Sequence, residues 1–332
     1  MSKKSFFTLM LFLSFTVIFV INHQYPIITK KVGKWSVGYN FSENPVKRPE
    51  IDSENIISYA LMDSILQTSG NYIADPFFIV DDGQYFLFTE LKGKKDADIA
   101  LFKSVDGKDF IYDTIVLDEP FHLSYPQVFK HEEEFYMLPE AKQSGHLLLY
   151  KSDNFPYTWK VVDTLLKDVK LKDASILLSE EFNLMVAVDD HMNQLIYTAD
   201  SLSGDWQEAS NYISRKGNHT RPGGRFFQYQ NEWYLPVQDR SRGYGSGISL
   251  YQLHHSTEHL SLQIVENRYL HNMDSIIWFN RGMHHLDLQR VNNSYYMVYD
   301  GDRNLNGENS FQIRRTLKFI YSDIYNYISN SF

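Results

Sequence analysis

One pattern, an apolar strand, a polar turn and a second apolar strand, recurs five times along this chain and limits its possible folds more than any other feature. The first copy runs from Asp75 to Glu90 with its turn at Asp81 to Gln84, and the second from Tyr125 to Glu140 with the turn in the same place. A third begins at Asp173 and reaches Asp189, a fourth spans Gly223 to Gln238, and the last runs from His285 to Asp300. Starts at 75, 125, 173, 223 and 285 give spacings of 50, 48, 50 and 62 residues. That period suits propeller blades, each of which needs neighbours to bury both of its faces.

The stretches between copies supply the outer half of each unit. Ile99 to Lys103, Leu147 to Lys151 and Leu195 to Thr198 are short apolar strands closing into polar turns, followed by Phe110, Trp159 and Trp206. Four strands per unit and no long intervening helix predict an all-β, five-bladed β-propeller over residues 67–332. Residues 24–66 are set apart as an edge strand and cover for one face. In the tail, Leu317, Ile320, Ile324 and Ile328 recur at near-helical spacing, which predicts a packing helix, a membrane-surface role being the weaker alternative.

Lys3 and Lys4 precede an uncharged apolar run from Phe6 to Ile21, so residues 1–23 are expected to be a signal peptide or membrane anchor. Sixteen helical residues would extend roughly 24 Å, close to a bilayer's hydrocarbon thickness. Asn22, His23, Gln24 and Tyr25 offer no small-residue cleavage site, which favours an anchor with an extracytoplasmic body over secretion. The chain has no cysteine, which excludes disulfides, thiolate nucleophiles and cysteine-ligated zinc. A formal net charge of -9 disfavours a nucleic-acid partner.

In a propeller the innermost strands open near the central channel, so Asp75, Tyr125, Asp173, Arg221 and the pair His284 and His285 are expected to meet at one mouth. Two carboxylates there are the ingredients of general acid and base chemistry. The strand ends carry Glu90, Glu140, Asp189, Asp190, Gln238, Asp239 and Asp300, expected to lie away from the openings because a strand rises about 3.4 Å per residue, unless turns fold them back. Glu140 is the exception, since Pro139 interrupts the ladder beside it and can turn its carboxylate inward. Arg221 and Arg225 flank adjacent glycines and offer planar forks, and Gln238, Asp239 and Tyr244 lie in a Gly-rich loop suited to carbohydrate. His284, His285 and Asp287 do not make a metal site, because adjacent strand residues face opposite ways, and no cofactor is expected.

In combination, Trp35-Ser-Val-Gly, Ala74-Asp-Pro-Phe77, Tyr125-Pro-Gln-Val128, Leu138-Pro-Glu140, Arg221-Pro-Gly-Gly-Arg225, Gln238-Asp-Arg-Ser241 and Asp300-Gly-Asp-Arg303 are distinctive. With them, residues 33–318 resemble the five-bladed N-terminal domain of plant glucosamine inositolphosphorylceramide transferases and its bacterial relatives. That resemblance places the transferase chemistry in a separate domain, so transfer is not expected of the propeller. More distantly the pattern is similar to the arabinanase and invertase-like glycoside hydrolases. This implies Asp75 as base and Asp173 as the residue adjusting its partners' protonation. Where that clan carries its acid Glu, this chain reads Thr220-Arg-Pro-Gly, and Arg cannot donate a proton near neutrality.

Two functions therefore stand. One is a glycosidase-like protein acting on envelope or extracellular glycans or glycolipids, with Asp75, Asp173 and Glu140 catalytic. The other is a non-catalytic glycan or glycolipid recognition module. A purely structural assembly module would require an exposed apolar patch.

Overall fold

In a computed structural model of the chain, which describes residues 3–93, 96–256, 258–304 and 306–329, the five repeats are five four-stranded antiparallel sheets. The chain forms a five-bladed β-propeller with an N-terminal and a C-terminal helix. Blade 1 comprises Tyr72–Asp81, Gln84–Lys92, Ala97–Ser104 and Ile111–Leu117. Blade 2 comprises Ser124–His131, Glu134–Glu140, Leu147–Asn154 and Thr158–Leu166. Blade 3 is the slightest, its Lys172–Leu178, Asn183–Val188 and Gln194–Ala199 ending in the two-residue strand Gln207–Glu208. Blade 4 comprises Phe227–Tyr229, Glu232–Asp239, Gly247–His255 and Leu260–His271.

Blade 5 is assembled from both ends of the chain. Leu286–Val291 and Ser294–Arg303 pair with Lys34–Ser42, which in turn pairs with Ile56–Ile57. Residues 24–66, set apart above as edge strand and cover, thus provide the two outer strands that close the ring. The alternating apolar residues of each sheet then pack between neighbouring blades. Phe77 and Phe88 of blade 1 meet Val128 and Met137 of blade 2, and Val37 and Val298 of blade 5 meet Phe78 and Leu87 of blade 1. Full burial of each such side chain contributes about 1.5–3 kcal/mol, which is why an unclosed ring would be unstable.

The N-terminal helix α1 (Lys3–Gln24) is long and apolar enough to cross a membrane by length and composition. Helix α2 (Tyr59–Ile65) starts at Ser58, whose hydroxyl accepts from the Leu61 amide as an N-cap, and it buries Tyr59 and Met62. The C-terminal helix α3 (Ile313–Ser329) forms where the tail's periodicity predicts. Its packing face differs from that expectation: Thr316, Phe319 and Ser322 are buried, while Leu317, Ile324 and Ile328 are exposed. Gly217 explains the choice, since its bare Cα lets the small Ser322 and the Phe319 ring settle against the 217 loop.

Blades 2 to 5 are tied together at Gly224. The Tyr125 hydroxyl donates to the Gly224 carbonyl at 2.7 Å and accepts from its amide at 2.8 Å, and Ser175 Oγ donates to the same carbonyl at 3.0 Å. Gly224 has φ +152°, and a Cβ there would lie 1.7 Å from the Leu286 carbonyl oxygen. Gly224→Ala is therefore expected to destabilise the fold by about 3 kcal/mol. Urea unfolding monitored by tryptophan fluorescence measures this, and an unchanged midpoint would contradict the close approach.

Candidate functional site

The openings of blades 1, 2 and 3 share one local distortion. Asp75, Tyr125 and Asp173 have φ of 49°, 49° and 47°, and the ladder slips at each between Ala74 and Phe77, Ser124 and Gln127, and Lys172 and Ser175. A non-glycine residue in the left-handed region costs about 1–3 kcal/mol, and such bulges redirect side chains. Here they are the residues brought to the axis. Each inner hairpin also brings its second strand back beside its own opening: Ala74 pairs with Glu90, Ser124 with Glu140, and the Asp300 amide donates to the His285 carbonyl. The turns thus fold the strand ends back beside the openings, the exception to the expected separation, because a hairpin's two termini are neighbours however long its strands are.

Asp173 is buried and held by Arg221, whose Nε and Nη2 donate at 2.5 and 2.8 Å. Gln238 Nε2 donates to the same carboxylate at 2.8 Å. Arg221 Nη2 also reaches Glu140 Oε2 at 3.3 Å, and that oxygen accepts from the Asp173 amide at 3.2 Å. Asp75 lies apart from the arginine. Its Oδ1 is buried without a hydrogen-bond partner, 3.6 Å from His285 Nδ1 and 3.8 Å from His284 Nε2. His284 is fixed on three sides: Nδ1 lies 2.7 Å from Asp300 Oδ2, Nε2 lies 3.0 Å from the Tyr244 hydroxyl, and its ring stacks on Trp35 at 3.9 Å.

These placements separate the acids. Burial works to raise Asp173, but the Arg221 charge and hydrogen bonds outweigh it and hold the carboxyl below the usual range. Asp300 is likewise lowered against its burial, by His284, which Asp300 in turn raises against its own burial. Asp75 is pushed up to about 7 by burial, His284 opposing and Asp173 and Asp300 adding to the rise. Glu140 is raised well above the ordinary value by burial despite Arg221, and Glu90 by burial and by Asp75. Burial holds His285 down, to about 3, so it is neutral.

Tyr125 and Arg225 brace the axis. Tyr125 is consumed by Gly224, and Arg225 forks Asp287 at 2.5 and 3.0 Å while donating to the Phe78 carbonyl. Asp239 sits behind the mouth, paired with Arg268 at 2.9 Å and His219 at 3.4 Å, and accepts from the Ser241 amide to hold the Gly-rich loop. That loop brings Tyr244 between His284 and Arg221, 5.9 Å under the guanidinium. Gly245, with φ +66°, is the residue that allows it, since a Cβ there would meet the Trp35 ring at 2.4 Å.

The sequence reading left out Trp35, Glu90, Tyr72 and His122 as site residues. Glu90 accepts from the Tyr72 hydroxyl at 3.2 Å and lies 3.4 Å from His122 Nε2. The signal was the equivalence of Glu90 and Glu140 at the end of their repeats. Asp75, His284 and Asp300 place potential metal-ligand atoms within 4.8 Å of one another. Asp300, however, already accepts from the Asp75, His284 and His285 amides at 3.0–3.1 Å, which leaves Asp75 Oδ1 as the unengaged donor atom.

Five blades whose inner strands gather carboxyl groups, histidine and arginine have the propeller fold of the glycosidase-like proteins. Among solved structures the chain is similar to a glycosyl hydrolase from Bacteroides ovatus, with TM-score 0.56, 13% identity, and coverage of 83% of this chain and 92% of that one. A putative glycoside hydrolase from Parabacteroides distasonis aligns with TM-score 0.55 and 15% identity over 81% of this chain and 97% of that one. At these identities the likeness concerns the fold alone. The family model described as glucosamine inositolphosphorylceramide transferase 1, N-terminal, matches residues 28–302, and the chain belongs to that family. Glucosamine inositolphosphorylceramide transferase 1 of Oryza sativa subsp. japonica is 31% identical over 318 residues, 86% of this chain but 42% of the relative. The chain therefore spans less than half the length of that relative.

The protonation of Asp75 gives a stability test. Its proton is held more tightly in the folded protein than in the unfolded chain, where 3.8 is the ordinary value, so stability it contributes at low pH is lost as pH rises toward 7. Asp75→Asn does not titrate, so its advantage over wild type is expected to grow across that interval, to at most roughly 4 kcal/mol at 1.36 kcal/mol per pH unit. Urea unfolding at a series of pH values measures it, and parallel curves would show Asp75 ionised throughout.

Proposed function

We propose that the protein is a glycosidase-like enzyme acting on the sugar of an extracytoplasmic glycan or glycolipid, held at a membrane by α1. The observation that carries this reading is the unlike surroundings of adjacent carboxyl groups: Asp173 forked by Arg221 and lowered, Glu140 reached by one longer arginine bond and raised by burial, and Asp75 without a partner on Oδ1 and pushed up to about 7. Neighbouring acids in opposite protonation states are what general acid and base catalysis requires. Glu140 is the most accessible of the three and takes the acid role, donating a proton to the leaving oxygen. Asp75, with a free oxygen and an affinity for protons matched to neutral pH, takes the base role toward water. Asp173 and Arg221 form the ionised pair that orients Glu140.

A second reading, a non-catalytic binding module, is favoured by one specific feature. Arg221 stands where the more distant hydrolase pattern carries its acid, and it neutralises part of the carboxylate cluster. Tyr244 and Tyr72, both half-buried beside the cluster, would then be sugar-contacting groups.

Sugar release from extracted envelope glycans and glycolipids, followed by chromatography, separates the readings. Asp75→Asn and Glu140→Gln are each expected to lower release about 10²–10⁴-fold while leaving binding within a few fold. Release that neither substitution alters would remove both assignments, and saturable binding without release by wild type would establish the module.

A further inference from the structure

Helix α3 turns its most apolar side away from the protein. Leu317, Tyr321, Ile324 and Ile328 are 61%, 68%, 55% and 52% exposed and share one side of the helix by their 3.6-residue spacing. The opposite side, Thr316, Phe319 and Ser322 with Asn326, makes the contacts, Asn326 bonding both the Lys216 amide and its carbonyl at 2.9 Å. Such a stripe left in water is a liability in a soluble protein.

The neighbour that covers it is indicated by where α1 ends. Tyr25, the residue directly after α1, is buried with its ring 5.9 Å from Phe319. Its carbonyl accepts from Thr316 Oγ1 at 3.3 Å, and the Pro26 carbonyl accepts from Arg315 at 2.8 Å. The chain therefore passes from α1 onto α3 within one residue, so a bilayer entered by α1 begins beside α3. An exposed apolar band continues between them, since Ile28 and Phe311 are cross-strand partners, 60% and 69% exposed, and lead into Ile313. Arg314 and Lys318 are exposed along one border of the stripe, and α3 carries Asp323 as its sole acid against three bases in a chain of net charge -9. An apolar stripe with a tyrosine and basic residues along its edge is the composition of a helix lying in a bilayer interface.

We infer that α3 is an interfacial helix that lies on the bilayer entered by α1, its Leu317 to Ile328 stripe seated between the lipid headgroups and the upper acyl chains. This rests on the membrane role of α1, and the measurements are arranged to tell the two apart. The chain's lack of cysteine allows single labels to be placed at Phe12→Cys in α1, Ile324→Cys in α3 and Asn293→Cys in the turn at the far end of blade 5. Each full-length protein is reconstituted in phosphatidylcholine and phosphatidylglycerol vesicles, carries a bimane label, and is exposed to acyl-chain nitroxide lipid or to aqueous iodide. Labels at positions 12 and 324 are expected to be quenched by the nitroxide lipid and spared by iodide, and the label at 293 to show the reverse. Adding Leu317→Glu with Ile328→Glu, both at exposed positions, is expected to abolish lipid quenching at 324 without altering the thermal midpoint. Lipid quenching at 12 with iodide quenching at 324 would overturn the role of α3 and leave the anchor standing. Iodide quenching at both would overturn both, and protection of 324 from both quenchers would show a protein partner or second copy on the stripe instead, overturning the proposal.

Discussion

The ring depends on the ladder between Lys34–Ser42 and Ser294–Arg303, which joins segments more than 250 residues apart. Closing a loop of that length costs on the order of 5 kcal/mol in its length-dependent part, a penalty that grows only logarithmically and so permits so distant a partner. Val37, Tyr39 and Ile57, all buried against blade 1, offset a comparable amount or more. Without this strand, the Leu286 to Arg303 hairpin would be a two-stranded remnant, with Phe78 and Tyr296 exposed on one side. The axial cluster would go with it, since Asp300 lies on that hairpin and accepts the amides of Asp75, His284 and His285.

Given closure, the charge pattern follows from which acid has a cation of its own. A buried carboxylate loses several kcal/mol of hydration, which only a partner at hydrogen-bond distance restores. Asp173 has Arg221 and Asp300 has His284, and both are lowered. Asp75, Glu90 and Glu140 share what remains and are raised. Arg225 and Asp287, further along the hairpin, depart from this pattern, since burial raises Asp287 despite its arginine, and their hydrogen bonds to the Phe78 carbonyl and amide clip blades 1, 4 and 5 together.

The repeat period made the blade count and inner-strand openings legible, because a pattern of apolar alternation and turn residues is local information. Asp75, Asp173, Arg221 and His284 were found the same way, and they do converge. What the sequence hid was pairwise and three-dimensional. The return of each hairpin puts Glu90 and Glu140 beside the openings, and nothing in the spacing says that Arg221 turns to Asp173 and not to Asp75. The outer strands of blade 5 were hidden because one copy of the repeat is split between the chain's two ends. For α3 the periodicity gave the helix and its apolar side, but periodicity marks a face without saying what medium it faces.

The arginine at position 221 is the point on which the proposed chemistry turns. A guanidinium near an acid favours loss of that acid's proton, which would spoil a donor if the pairing were complete. Arg221 makes two short bonds to Asp173 and a single longer one, 3.3 Å, to Glu140. Burial therefore still dominates at Glu140 and raises its affinity for a proton well above that of an ordinary carboxylate. In the proposed reaction, once a proton passes from Glu140 to a leaving oxygen, the new carboxylate already has a donor aimed at it, so the arm that does not outweigh burial beforehand would stabilise it as charge develops. On this account Arg221 does not replace a missing acid: it makes the neighbouring glutamate usable as one.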